Sequence, residues 1–406
     1  MIPPSRLLLL AAFAASASSP SSASDAPECR PTSLDAYDYV VIGAGTAGSV
    51  AASSLASSLP TSSVLLVDLG RDRSDTADVM NNDRFADMMQ SPNCEHHFTR
   101  EGAMGGAGPN SAKKVYLCVS KMLGGASSIN YGGWYRAPQS DLDEWATLAG
   151  SDEWNYDSML PYFKDIESLS RDDDGEKNSD RGYDGVVPVL HQNISIVHLH
   201  TGLIPSIERH LGVSVGDQDN NGRTQEGVNT LQVSRVRNGC WTDDDGTEIG
   251  CADWMRNGSA YNAFVRDPMR SGGLSNLEVL EGSKVVKLSG IGPDDEGDIS
   301  IEYIKKGYRY VVSAKEEVLL SAGSWGNPKI AMLSGVGDSE ALTEAGVTPV
   351  VNSPGVGRHL MDHGVLWLTA MLGNVEALDA NATAALGFDP SSFRGKDNPL
   401  PALMGE

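Results

Sequence analysis

The sequence has few basic side chains and no long apolar runs, and both shortages exclude classes of partner and location. Its 31 lysine and arginine residues stand against 54 aspartate and glutamate residues, a formal net charge of −23. This excess of negative charge repels phosphate backbones and anionic membrane surfaces, so we expect no nucleic-acid partner. No stretch reaches the roughly 20 apolar residues of a transmembrane helix, so we expect no transmembrane segment.

Cysteine is also scarce, with five residues and no Cys-x-x-Cys pair or cysteine–histidine cluster. The sequence therefore indicates no metal site. Cys240 and Cys251 bracket an acidic loop and are the first choice for a disulfide if the chain is exported. The remaining cysteines, which would leave one thiol unpaired, are Cys29, Cys94 and Cys118.

The N-terminus, residues 1–26, has the pattern of a secretory signal peptide. Arg6 precedes an apolar run, Leu7–Ala15, and small residues follow. We expect a secretory or extracellular protein, with a bipartite organelle leader as the alternative. Glycosylation on that route would use three sequons, at Asn193, Asn257 and Asn381.

A strand–turn–helix–strand unit follows the leader. Tyr39–Ile42 is a short β-branched run, Gly43–Gly48 is a glycine-rich turn, and Ser49–Ser58 is rich in alanine and free of proline. Val64–Val67 predicts a second strand, and Asp68 follows it about 20 residues after the last glycine of the turn. All the parts of a dinucleotide-binding unit are therefore present in the expected order and at the expected spacing.

Each glycine of the turn has a separate expected task. Gly43 permits the tight turn, Gly45 lets a pyrophosphate approach the backbone, and Gly48 lets the helix pack on the strand. The free amides of the helix start, at Thr46 and Ala47, would face the phosphates. Asp68 is positioned to accept hydrogen bonds from a ribose. An ordinary glycine-rich turn of an α/β fold is the alternative, and the motif alone does not separate FAD from NAD.

A second glycine-rich stretch, Lys121–Asn130, continues into Tyr131–Arg136. Its composition suits a loop lying against a planar ring, with a purely structural loop as the alternative. The residues after it predict a helical region over Asp141–Ile166. Further along, the pattern predicts strands at Leu277–Leu280, Lys284–Leu288, Ile299–Ile304, Tyr308–Val312 and Val318–Leu320, and helices at Pro328–Leu333 and Ser339–Ala345.

The chain resembles the glucose–methanol–choline (GMC) oxidoreductase family in four ordered blocks that together span about residues 37–365. The blocks are Asp38–Gly48, Met122–Trp145, Val318–Gly337 and Gly355–His363. The resemblance implies an α/β fold in which a discontinuous Rossmann-like FAD-binding domain, residues 36–140 and 270–365, carries an incomplete α+β substrate-binding domain, residues 141–269 and 366–406. Beyond the phosphate-binding turn and Asp68, the residues it assigns to FAD are Leu123, Gly125, Ser128, Asn130, Tyr131, Gly132 and, against adenine, Val285.

The sequence departs from the family at four positions. Asp68 replaces the more usual Glu, and Ile129 stands where some relatives attach FAD through a His, which excludes covalent linkage by that route. Ala126 stands where Ser, Thr or Cys is more usual, and Asn327 replaces a Ser or Thr before proline.

The resemblance implies hydride transfer from an alcohol carbon to flavin N5, with a His base and a neighbouring His or Asn. Those residues follow the fourth block in the family and are expected to be absent here, so we expect a fragment without assigned catalytic residues; His359 and His363 are not the family's base. The expected partner is a small alcohol, choline-dehydrogenase-like in the broad sense, with oxygen or another electron acceptor. The alternatives are a non-catalytic flavin-binding chain, a GMC-fold relative with other flavin chemistry such as fatty acid photodecarboxylation or hydroxynitrile cleavage, and an NAD-dependent dehydrogenase.

Overall fold

The computed structural model describes residues 32–73, 76, 79, 94–99, 115–130, 132–171, 178–191, 219, 221–223, 225, 232–242, 248–256 and 259–360. The leader, the three sequons, Tyr131, His363 and residues 366–406 lie outside these ranges, so the expectations placed on them stay predictions.

The described part of the chain alternates strands and helices. The strands are β1 Ala36–Ile42, β2 Val64–Val67, β3 Cys94–Thr99, β4 Val115–Ser120, β5 Glu167–Arg171, β6 Val187–His191, β7 Gln232–Val233, β8 Arg235–Thr242, β9 Glu248–Arg256, β10 Leu277–Leu280, β11 Ser283–Ser289, β12 Ile299–Lys305, β13 Tyr308–Leu320, β14 Val336–Gly337 and β15 Val351–Asn352. The α-helices are α1 Thr46–Ser58, α2 Ala126–Ile129, α3 Gln139–Ala149, α4 Tyr156–Ile166, α5 Asp267–Arg270, α6 Gly323–Leu333 and α7 Ser339–Glu344. A 3-10 helix spans Asp152–Trp154 and a π-helix spans Asn262–Arg266.

A six-stranded sheet, in the order β10-β2-β1-β13-β12-β11, forms the centre of the fold. Strands β10, β2, β1 and β13 run parallel, whereas β11, β12 and β13 pair antiparallel. Strands β1 and β2 carry the apolar runs Tyr39–Ile42 and Val64–Val67, because both of their faces are covered. Val40, Val41, Leu65 and Leu66 are all fully buried.

Helix α1 packs closely on one face of this sheet because its inner side carries only small residues. Ala52 and Ala56 are buried in one cluster with Val41, Val64 and Leu66 of the strands beneath. The opposite face carries a second cluster, in which Tyr37, Leu65 and Ile301 of the strands are buried together with Ile330 of α6. The sheet thus presents the carboxyl ends of β1 and β2, the usual ligand-binding edge of such folds.

The strand expected to break between Val312 and Val318 is continuous, so that prediction was wrong. Strand β13 runs through the intervening segment, in which Lys315–Glu317 is exposed and charged. Its backbone pairs with β1, with Glu317 opposite Tyr39, so main-chain hydrogen bonds maintain the strand where the side-chain pattern does not show it.

The helical region expected over Asp141–Ile166 is divided into α3 and α4. Gly150 ends α3 in the left-handed conformation with φ 63°, and the 3-10 helix follows it. Asn155 then starts α4 by accepting a hydrogen bond from the amide of Ser158. Glycine and an N-capping side chain are the usual signals for such a break.

The described residues also form four smaller sheets, among them β3-β4 and β14-β15. Strands β5, β6 and β7 form a three-stranded sheet, and β8 and β9 form a hairpin whose register aligns Cys240 with Cys251. Their disulfide stays a prediction, as do the domain boundaries. Of the helices that the structure describes, none has the length and hydropathy of a membrane-spanning segment. The described residues also include no cluster of three or more side chains arranged to hold a metal ion.

Replacing Ile301 by alanine tests the core of the sheet. Ile301 is fully buried, so we expect Ile301→Ala to lower the free energy of unfolding by about 2–5 kcal/mol. Val311 lies on the neighbouring strand with 64% of its surface exposed, so Val311→Ala should cost less than about 1 kcal/mol. Urea denaturation measures both changes, and equal losses would contradict the assigned core.

Candidate functional site

The first glycine turn closes tightly over the end of β1. Gly43 has φ 106°, and its amide donates to the carbonyl of Val67 at 2.8 Å. A Cβ on Gly43 would overlap the carbonyl of Ser321, and a Cβ on Gly48 would overlap the carbonyl of Gly43. Both positions therefore require glycine for packing, as the sequence predicts.

Gly45 differs from its two neighbours because the space beside it is open. A Cβ there would have no heavy atom closer than the Cα of Gly125, 3.8 Å away. Gly45 is also the N-cap of α1 and contributes no side chain to the helix amides, while Thr46 and Ala47 are exposed. The result is an open cradle of main-chain donors at the positive end of a helix, which fits a diphosphate.

Asp68 holds two turns together. Its Oδ2 accepts from the amide of Ala44 at 2.7 Å, and its Oδ1 accepts from the amide of Gly70 at 2.6 Å. Burial raises the pKa of this carboxyl, and the two amides act against that rise. The expected ribose contact stays a prediction. What the structure adds is that this carboxylate shapes the glycine turn itself.

The second glycine loop lies directly against the first. The amide of Gly124 donates to the carbonyl of Ala44 at 2.7 Å, and a Cβ on Gly125 would come within 2.7 Å of the Cα of Gly45. The amide of Leu123 donates to the carbonyl of Arg71 at 3.1 Å, while its side chain is buried beside α1. The two loops predicted from sequence thus line one cradle.

The remaining predicted residues have distinct surroundings. Ser128 is buried and donates to the carbonyl of Leu123 at 2.9 Å, so its hydroxyl braces the loop. Exposed Asn130 follows α2, and its Oδ1 accepts from the amide of Gly132 at 3.0 Å. The expected contact of Ser128 with the ring system therefore stays a prediction.

Val285 lies on β11, beside the turn that Asp68 holds. The amide of Ser283 at the start of β11 donates to the carbonyl of Asp68 at 2.7 Å, and the amide of Gly282 donates to that of Gly70 at 2.6 Å. The structure therefore brings the residues expected at ribose and adenine to one edge of the sheet.

A segment that begins at Ser259, just before the π-helix, also contacts the second glycine loop, although no pattern in the sequence predicted a role for it. The amide of Ala260 donates to the hydroxyl of Ser127 at 2.9 Å. A Cβ on Gly124 would overlap the hydroxyls of Ser259 and Ser128, so the second loop is seated on this segment. Single-turn π-helices are frequent at functional sites, but their sequences carry no periodic signal that could have revealed this one.

The departures from the family pattern also have local explanations. Ile129 is buried in a small cluster with Val79 and Met122, which suits an apolar side chain. The side chain of Asn327 accepts from the amide of Ala322 at 2.7 Å and donates to the carbonyl of Leu320 at 3.1 Å. It therefore satisfies main-chain groups on both sides of the turn between β13 and α6.

The family model described as GMC oxidoreductase, in its N-terminal part, matches residues 37–365. The chain belongs to the GMC oxidoreductase family. The oxygen-dependent choline dehydrogenase of Vibrio vulnificus is 31% identical over 338 residues, which cover 80% of this chain and 52% of that protein. The FAD, quinone glucose dehydrogenase of Drosophila melanogaster is 30% identical over 358 residues, covering 87% and 52%. This GMC chain spans about half the length of these curated relatives.

Solved structures confirm the fold of this GMC chain. Pyridoxine 4-oxidase from Mesorbium loti has a TM-score of 0.63 at 24% identity, covering 78% of this chain and 55% of its own. Formate oxidase has a TM-score of 0.65 at 23% identity, covering 81% and 53%. The Rossmann-like α/β class is therefore confirmed, and FAD is the cofactor of the GMC family. Its place in the open cradle stays a prediction.

Two alanine substitutions separate cofactor binding from folding. Gly45→Ala leaves the packing of the turn intact but fills the cradle, so we expect a melting temperature near that of the wild type and loss of FAD binding. Gly48→Ala drives a methyl group into the carbonyl of Gly43, so we expect a lower melting temperature and loss of FAD binding. Thermal melts and FAD titration distinguish the variants; normal FAD uptake by Gly45→Ala would contradict the cradle.

Replacing Asp68 by asparagine tests the link between the two turns. In Asp68→Asn the side-chain NH2 group would face one of the two main-chain donors. We expect the free energy of unfolding to fall by about 1–3 kcal/mol and FAD binding to weaken. Asp38→Asn is the matched control, because Asp38 accepts from the amide and hydroxyl of Ser63 at the opposite end of β1. We expect that control to lose stability without losing FAD affinity, and equal FAD affinities for the two variants would refute the assigned role.

Proposed function

We propose that this chain is the cofactor-holding part of an FAD-dependent oxidoreductase that acts on CH–OH groups of small alcohols. The observation that carries the proposal is the cradle of Gly45, open on one side and walled by Gly125 on the other. Names of relatives such as choline dehydrogenase and glucose dehydrogenase support an alcohol as the substrate class.

The residues of the cradle would bind and orient FAD, and the cofactor, when bound, would supply a flavin able to take up hydride from an alcohol carbon. The main-chain amides of Gly45, Thr46 and Ala47 would hold the diphosphate, and Gly43 and Gly48 permit that backbone shape. Asp68 keeps the turn in place. We assign no base within the described residues: His359 is exposed, and the fourth block does not supply the family's base.

We also propose that the protein enters the secretory pathway. The leader pattern of residues 1–26 supports this route, and so does Cys94, which is disulfide-bonded, because disulfides persist in oxidising compartments. N-terminal sequencing of the protein recovered from its source tests the proposal. A mature protein that still begins at Met1 would count against it.

Anaerobic reduction of the flavin tests the proposed chemistry. The protein expressed from its own gene and loaded with FAD is mixed in the dark with choline, glucose and aryl alcohols, and the visible flavin absorption is followed. We expect a yellow protein that one of these alcohol classes bleaches, with Gly45→Ala as the colourless control.

The other outcomes separate the alternatives. A yellow protein that no alcohol bleaches would favour a non-catalytic flavin-binding chain. Consumption of a fatty acid only under illumination would favour photodecarboxylation. A chain that cannot be loaded with FAD but binds NAD would overturn the flavin assignment.

A further inference from the structure

A buried cluster of charged side chains lies at the start of β5, outside the dinucleotide cradle. The carboxylate of Glu167 is fully buried; its Oε1 accepts from Nε of Arg181 at 2.7 Å and its Oε2 from Nη2 of Arg136 at 2.9 Å. Arg181 also contacts Asp219 at 2.6 Å. Two cations thus face two carboxylates, which is the condition under which charges persist in a protein interior.

Glu167 also contacts the segment that leaves the second glycine loop, here called the exit segment, Gly132–Arg136. Its Oε2 accepts from Nε1 of Trp134 at 2.9 Å. The main chain of Trp134 is held as well, with its amide donating to the carbonyl of Gln232 at 2.8 Å and its carbonyl accepting from Nδ2 of Asn221 at 3.0 Å. The carboxylate of Glu167 and the main chain of β7 together tie the exit segment to the three-stranded sheet.

The opposite end of the same loop is tied to the cradle. The amide of Gly124 donates to the carbonyl of Ala44, and Gly125 lies against Gly45. Six residues separate Gly125 from the first residue of the exit segment, Gly132, so little chain is free to absorb a shift between the two ties. A displacement of the exit segment would therefore move the wall of the cradle.

We propose that Glu167 is a positioning residue for the cofactor, which fixes the exit segment and thereby holds Gly125 at its place beside the diphosphate cradle. This proposal rests on the FAD assignment made above. Glu167 acts through Trp134 and Arg136, which donate hydrogen bonds to its carboxylate.

The charge state of the cluster supports this role. Burial alone would raise the pKa of Asp219, but the charge of Arg181 and hydrogen bonds from Arg181, Asn221 and Gln232 outweigh it and hold the pKa below its usual range. The carboxylate of Asp219 therefore stays ionised at neutral pH. Arg181 is then shared between Asp219 and Glu167, and the guanidinium cannot follow one partner without leaving the other.

Trp134→Phe is the sharpest variant, since it removes the Nε1 hydrogen bond to Glu167 and leaves every ion pair in place. Glu167→Gln removes the charge and serves as the stronger perturbation. Asp157→Asn is the matched control: Asp157 pairs with Arg223 at 2.6 Å, but its side chain is 70% exposed. The measurements are the FAD dissociation constant by fluorescence titration, the visible circular dichroism of bound flavin, and the melting temperature of the apoprotein.

We expect Trp134→Phe to remain folded at the assay temperature and to bind FAD roughly tenfold more weakly, with an altered visible circular dichroism, because hydrogen bonds to charged groups are among the stronger ones. Glu167→Gln should show a larger loss, and Asp157→Asn should match the wild type within about twofold. Global unfolding weakens binding only in proportion to the unfolded fraction. If a variant is fully folded and still binds FAD more weakly, the shape of its binding site has changed.

Two results would overturn the proposal in different ways. If Trp134→Phe lowers the melting temperature while the FAD dissociation constant and the flavin circular dichroism stay unchanged, the cluster is structural and this proposal alone fails. If the wild-type chain takes up no FAD, the cofactor assignment fails and this proposal fails with it.

Discussion

The contact between the first turn of α1 and the end of β1 is the constraint on which the rest of the structure depends. Gly48 lies so close to the carbonyl of Gly43 that no side chain fits between them. This approach lets the small inner face of α1, with Ala52 and Ala56, reach the buried strands. It also aims the start of the helix at the edge of the sheet where a ligand would lie. Packing and binding thus depend on the same absence of side chains.

Around that contact, the cradle is assembled from segments that are far apart in sequence. Asp68 links the first turn to Gly70, and the carbonyl of Ala44 accepts from the second loop. The second loop is seated in turn on the segment that begins at Ser259. Each link is a hydrogen bond donated by a main-chain amide or a glycine contact. Such contacts leave little freedom for a loop to move independently of the others.

The buried charges around Glu167 extend this frame into the neighbouring three-stranded sheet. They are paired and hydrogen-bonded, which offsets the desolvation of each ion. A cluster of this kind contributes geometric definition more than net stability, because an apolar core of equal volume would be about as stable. Because the cluster lies beside the exit segment, the position that it fixes also affects the cofactor loop.

The sequence by itself determined the family and the strand–turn–helix–strand unit, because these depend on local signals. Glycine spacing, β-branched runs and a following acid identify the first turn, and the strands β10, β11 and β12 were confirmed near their expected bounds. The first turn alone indicated only a dinucleotide. The four ordered blocks identified it as FAD, and the family match then confirmed FAD as the cofactor.

Only the tertiary structure decided which groups meet across long separations. The continuity of β13 through Lys315–Glu317 comes from pairing with β1, and exposed charges hide it in the sequence. The engagement of Asp68 with two main-chain amides depends on how two turns fold toward each other. The convergence of Glu167 with Trp134 has no local signal at all, because isolated charged residues in a sequence are normally solvated. Which side chains are buried, and which partners they contact, depends on the assembled fold. Those contacts give the binding site its shape.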